Sequence, residues 1–176
     1  MTDSLESNQG AEVSLTETVR EQAFLALADA HLDASYRLAT AIVGDRSEAE
    51  DATQDALVVA WRRWSQLRDP ARFEAWFHRI LLNTCRDRLR QNARRRSVDL
   101  SADLAGPSDP TAELDDHDQI GRALARLSPD HRIVVTLRYY LDLPIDEIAR
   151  RLGIPAGTVS SRLHNALRQM RTGVDR

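Results

Sequence analysis

The chain has 176 residues, 42% of them hydrophobic and 5% aromatic, enough for one ordinary domain or two small ones with modest cores. No stretch approaches the roughly 18 uninterrupted apolar residues of a membrane span, the acidic start Met1–Gly10 lacks the basic and apolar regions of a secretory leader, and Cys85, the single cysteine, excludes an intrachain disulfide. The formal net charge of −3 hides a strong segregation, since residues 62–96 carry +8 and residues 97–118 carry −7, a pattern that permits nucleic-acid binding without a basic isoelectric point.

A cytoplasmic protein with no membrane insertion is therefore expected. Cys85 reads as core filler, and no Cys/His grouping has metal-ligand spacing. Every basic residue is arginine. Arginine suits bidentate phosphate and guanine contacts, although so uniform a choice is better explained by coding composition.

Residues 1–20 form an acidic extension expected to lack fixed structure, and residues 97–115, rich in small, acidic and turn-forming side chains, read as a flexible acidic linker. Apolar residues recur at three- and four-residue steps on both sides of that linker, which predicts an all-α protein of two small helical domains, residues 21–96 and 116–176. The first helix should run from near Glu17 to Val43 and stop at Gly44. Ser47 and Glu50 have capping-box spacing, predicting a second helix that continues to about Trp64. Asp69 and Pro70 give the start signal of a third, ending near Arg95.

That third helix has two faces. Phe73, Phe77, Ile80, Leu81, Thr84 and Cys85 fall on one side, and Arg79, Asn83, Arg86, Arg90 and Arg94 on the other. Like charges at four-residue spacing weaken an isolated helix, so an anionic, phosphate-bearing partner is an economical reason to keep them. Trp76 lies at the border, where an indole either packs in the core or stacks on an unpaired base.

Beyond the linker, helices are expected from Asp116 to Leu127, Arg132 to Leu141, Ile145 to Leu152 and Gly157 to Thr172, with Ser128 and Pro129 repeating the start signal. Val159, Leu163, Ala166, Leu167 and Met170 should face Ile148, Ala149 and Leu152. Thr158, Ser161, Arg162, Asn165 and Arg168 then point outward, as in a helix-turn-helix whose last helix enters a major groove.

The residues resemble the sigma-70 family of bacterial transcription initiation factors, in particular its small two-domain extracytoplasmic-function class, over about Phe24–Arg171. "AEDATQDALVVAW" (49–61) is similar to the family's core-binding helix, which implies that Asp51, Gln54 and Asp55 meet the clamp helices of the polymerase beta-prime subunit. "FEAWFHRILLNTCRDRLR" (73–90) resembles its promoter-melting and minus-ten helix. That resemblance implies contacts from Trp76, Asn83 and Arg90, beside the arginines Arg79, Arg86 and Arg94 of the same face. In the connection "SQLRDPAR" (65–72), the family's capture of a flipped base would fall to Ser65, Gln66 and Arg68, the alternative being a plain connector capped by Asp69. "LSPDHRIVVTLRYYLDLPIDEIARRLGIPAGTVSSRL" (127–163) resembles the fourth region, which reads the minus-thirty-five element.

The resemblance implies as partners core RNA polymerase, including its beta flap, promoter DNA and an anti-sigma factor. It implies no catalytic residue, cofactor or metal. The chain departs from the family at Pro144 and Pro155, where Ser is frequent, and at Ser160 and Asn165, where Lys and Arg are frequent. Rival readings are a stand-alone helix-turn-helix regulator of the LuxR type and a helical adaptor that binds proteins only.

Overall fold

A computed structural model describes the backbone of residues 3–99 and 116–174 and the side chains of residues 18–95 and 119–172. The described residues form seven α-helices: α1 (Asp3–Val43), α2 (Arg46–Arg63), α3 (Phe73–Asp99), α4 (Asp116–Ala125), α5 (Pro129–Tyr139), α6 (Ile145–Leu152) and α7 (Ala156–Val174). Helices α1, α2 and α3 pack mutually into an N-terminal bundle, and α4, α5 and α6 gather around α7. The expected linker, apart from the final turn of α3, lies outside the described residues.

The helix boundaries follow local chemistry. Gly44 takes a left-handed φ of +82° just past α1, as a terminating glycine should. The cap of α2, however, is Asp45 rather than Ser47: its carboxylate accepts a 2.9 Å hydrogen bond from the Glu48 amide. The turn at Gly44 leaves Asp45 extended, so the first capping side chain after the turn takes the role. Asp69 caps as expected, accepting from the Ala71 amide, but Pro70–Arg72 is a short 3-10 turn that leads into α3. Ser128 accepts from the His131 amide with Pro129 as the first residue of α5. Pro144 starts α6 with no side-chain cap, so its fixed φ sets the entry angle.

Two differences concern length. Helix α1 begins at Asp3 instead of near Glu17, so the expected unstructured extension has helical backbone from its third residue. Nothing in residues 3–16 stops a helix: there is no proline, and one glycine is a modest penalty. Helix α5 ends at Tyr139 because Asp142, at φ +48°, turns the chain toward α6.

The N-terminal core is built on an aromatic group. Phe24 meets Trp61, Trp64 and Phe73 edge-on at 5.1 to 6.0 Å, and Phe73 stacks on Phe77 at 5.6 Å. The Trp64 indole donates to the Arg20 carbonyl oxygen, which ties the end of α2 to α1. In the C-terminal unit Ile133, Val134, Leu137, Ile148, Val159 and Ala166 are buried together. The two domains are not separate. α3 packs against α5 and α6, and α1 against α5, so buried side chains run continuously from one domain into the other.

Candidate polymerase and promoter surfaces

On α2, Ala49, Ala52, Thr53, Ala56 and Ala60 are buried, while Asp51, Gln54 and Asp55 are exposed. Small residues on the inner face let α1 and α3 approach closely and leave the acids on the rim. Arg88 of α3, which the sequence reading missed, organises them. Its guanidinium lies 3.0 Å from Glu48, 3.3 Å from Asp51 and 2.6 Å from Asp55. Burial works against its charge, but hydrogen bonds to Asp55 and Glu48 outweigh that and hold its pKa up. The spacing of Glu48, Asp51 and Asp55, one acid per turn on a single face, was a signal that a counter-charge had to lie opposite. Asp51, Asp55, Arg88, Arg90 and Arg94 line an open groove of about 1040 Å³ between the helices.

The expected inner face of α3 is buried at Phe73, Phe77, Ile80, Leu81 and Cys85, with Thr84 half-buried and its hydroxyl donating to the Ile80 carbonyl. Desolvation pushes the Cys85 thiol up to about 12, despite the nearby Arg88 charge, so it is an inert core group. Trp76 is half-buried against Trp64 and Phe73. Ser65, Gln66 and Arg68 are exposed in the α2–α3 connection.

The opposite face of α3 is not a free surface. Arg79, Asn83, Arg90 and Arg94 are exposed, but Arg86 is partly covered and its Nε lies 2.8 Å from Asp130 of α5. Arg86 also donates to the Asn83 side-chain oxygen at 3.1 Å, and Arg90 reaches Asp130 at 3.4 Å. His78 and Leu82, two turns and one turn before Arg86, are buried. Arg151 of α6 donates to His78 Nδ1 at 2.8 Å, which fixes the neutral tautomer with its proton on Nε2. Burial, then the Arg151 charge, pushes the His78 pKa below its ordinary value, against the pull of Glu74. Arg151 in turn bonds Glu147, whose carboxyl is held low by that bond and by Arg150.

In the helix-turn-helix, Gly153 ends α6 at φ +65°, and Val159, Leu163 and Ala166 are buried, with Leu167 and Met170 half-buried. Ser161, Asn165 and Arg168 are exposed, Thr158 is half-covered, and the Ser161 hydroxyl donates back to the Thr158 carbonyl. Arg162 is drawn inward, 3.5 Å from Asp130. His164 is exposed.

A helix-turn-helix unit joined to a second helical domain with an arginine-rich face defines a two-headed DNA-reading factor. The Sigma-70 region 2 family matches residues 27–95, and the Sigma-70, region 4 family matches residues 117–170. The ECF RNA polymerase sigma factor SigL of Mycobacterium tuberculosis is 39% identical over 153 residues, covering 83% of this chain and 85% of that protein. SigW of Bacillus subtilis is 28% identical over 167 residues, covering 86% and 88%. Among solved structures, CnrH in complex with the cytosolic domain of CnrY aligns at TM-score 0.60 and 26% identity over 88% of this chain and 89% of that one. The sigma factor RpoE, in complex with the anti-sigma factor NepR from Bartonella quintana, has the same fold at TM-score 0.61 and 24% identity, covering 88% and 96%. The chain belongs to the extracytoplasmic-function RNA polymerase sigma factors, which direct promoter-specific transcription initiation. Region 2 has no counterpart in a stand-alone regulator or a protein-only adaptor, and both rivals are set aside.

Proposed function

We propose that Asp51, Gln54 and Asp55 dock this chain on the polymerase beta-prime clamp helices, with residues 21–96 acting as region 2, residues 116–176 as region 4 and residues 97–115 as the tether. Trp76, Arg79, Asn83, Arg86, Arg90 and Arg94 contact the minus-ten DNA, and Ser65, Gln66 and Arg68 take up a flipped base. Thr158, Ser161, Arg162, Asn165 and Arg168 read the minus-thirty-five element, with Arg162 and Asn165 able to make bidentate contacts to guanine and adenine edges. The chain acts in the cytoplasm and is a binding factor rather than an enzyme, because melting draws on the free energy of polymerase and DNA contacts. CnrH was solved with a protein partner on the same fold, which supports an anti-sigma partner here.

The observation that carries this reading is the division of α7, with Val159, Leu163 and Ala166 buried beneath exposed Ser161, Asn165 and Arg168. Runoff transcription tests it. Purified chain added to core polymerase on a library of promoter templates should yield transcripts from a defined subset only. Transcripts that do not change on adding the chain would rule the reading out.

A further inference from the structure

Trp61, on the last turn of α2, is 47% exposed, a large share for an indole. Buried Phe24 meets it edge-on at 5.1 Å from the core side, so the ring is held in place and still open. It walls a cleft of about 510 Å³ between α1 and the end of α2, room enough for one nucleotide. Trp64 backs this cleft. Its indole N–H is already engaged by the Arg20 carbonyl oxygen at 3.1 Å, which fixes the Arg20 backbone at the rim. The Arg20 and Arg62 side chains are exposed beside the cleft, and neither is ion-paired with a carboxylate among the described residues. Glu21 and Ser65 complete the lining, and no described residue of α4 to α7 takes part, so the cleft is open in the chain by itself.

We infer that this cleft is a further single-strand site, which stacks one unpaired DNA base on Trp61 while Arg20 and Arg62 hold the phosphates on either side of it. Every base has a π face that an exposed indole can cover, and guanidinium groups match phosphate oxygens in charge and shape. Duplex DNA cannot use the cleft, because its base faces already cover one another. The Glu21 carboxylate accepts from an exocyclic amine, which favours cytosine or adenine over thymine. This inference rests on the assignment of α3 and the α2–α3 connection to the minus-ten DNA. Ser65 belongs both to that connection and to the cleft, and Trp64 also meets Trp76 of α3 at 6.5 Å, so a strand separated at the minus-ten element passes within reach. Ser65, Gln66 and Arg68 offer a base polar edges only; Trp61 supplies the stacking face they lack.

The test titrates the full chain with a fluorescent cytosine-rich single strand and with the matching duplex, followed by anisotropy against salt, after circular dichroism has established that each variant is folded. Trp61→Ala should weaken single-strand binding about fivefold or more, and Trp61→Phe, which keeps an aromatic face, should restore most of it. Neither should change duplex binding. Replacing Arg20 and Arg62 together by Gln should lower the salt slope for the single strand by about 1.4, two phosphates at about 0.7 each. Unchanged single-strand affinity in Trp61→Ala would overturn the site, and weakened core-polymerase binding in that same variant would assign the cleft to a protein surface instead. Cytidine monophosphate that competes as well as the strand would overturn it in favour of a free nucleotide. A measurement on the unaltered chain is independent of any variant's folding: a single strand carrying 5-iodocytosine should photocrosslink to Trp61, and crosslinks confined to other residues would also overturn the site. Runoff transcription separates this inference from the functional reading. If the unaltered chain supports no promoter-specific transcript, the functional reading fails, while the single-strand and crosslinking data still decide the cleft.

Discussion

Arg132→Met should uncouple the two domains without unfolding either. Arg132 is buried, and its Nη1 donates to the Ile42 and Val43 carbonyl oxygens at 3.2 and 3.1 Å, while Nη2 donates to the Ala125 carbonyl at 2.8 Å. The first two bonds cross between domains and satisfy carbonyls that the last turn of α1 leaves without helical partners. The turn at Gly44 carries the chain away and leaves those carbonyls open to Arg132. Hydrogen bonds to a charged group contribute about 1.5 to 3 kcal/mol each, less the cost of desolvating the guanidinium, so the two crossing bonds are worth about 2 to 3 kcal/mol together. That is roughly a 30- to 150-fold change in the closure equilibrium. Methionine keeps the length and apolar bulk of the stem, which limits cavity formation. Differential scanning calorimetry should show one transition for the unaltered chain and two for the variant, with the N-terminal bundle melting where it did before. Superimposable scans would refute the reasoning.

Three further outcomes follow from the geometry. Reversing both Asp51 and Asp55 to Lys should abolish co-purification with core polymerase, yet cost under about 2 kcal/mol in a urea titration because both pairs with Arg88 are solvent-exposed. The buried Cys85 thiol, pushed up to about 12, should resist iodoacetamide at pH 8 in the native chain and react fully in denaturant. Because the His78 pKa is lowered in the closed chain, the opened or unfolded chain binds the proton first as pH falls below about 6.5, so thermal stability should drop from there downward and be unaffected by His78 above it. His78→Asn, which keeps an acceptor for Arg151, should flatten that dependence; an unchanged pH profile would show that another group is responsible.

The helical period made the inner face of α3 legible, since Phe73, Phe77, Ile80, Leu81 and Cys85 are all buried. Its second buried stripe, His78 and Leu82 with the half-covered Arg86, was not legible. A polar–apolar–polar series at four-residue spacing looks like solvated surface, and the helices that cover it lie beyond the linker with no local mark of the pairing. The α2 cap shows the same limit on a smaller scale. Asp45 and Ser47 both have capping side chains, and the left-handed turn at Gly44 selects the nearer one. Arg88 was hidden in a run of arginines, and only the acid spacing on another helix singles it out.

The arginines of α3 connect these points. Their spacing argues that so many like charges on one helix face call for an anionic partner, and phosphate is the obvious candidate. In the chain by itself the anions facing Arg86, Arg88 and Arg90 are carboxylates: Asp130 on one flank, and Glu48, Asp51 and Asp55 on the other. The two flanks answer differently to a partner. Glu48, Asp51 and Asp55 belong to the same bundle as Arg88, so the proposed polymerase contact needs no domain movement. Asp130 shares the C-terminal domain with Arg162, so separating the domains would free Arg86 and Arg90 from it but not Arg162. Asp130→Asn should therefore speed modification of Arg86 by phenylglyoxal while Arg88→Gln should not, and equal rates would show that Asp130 does not cover Arg86.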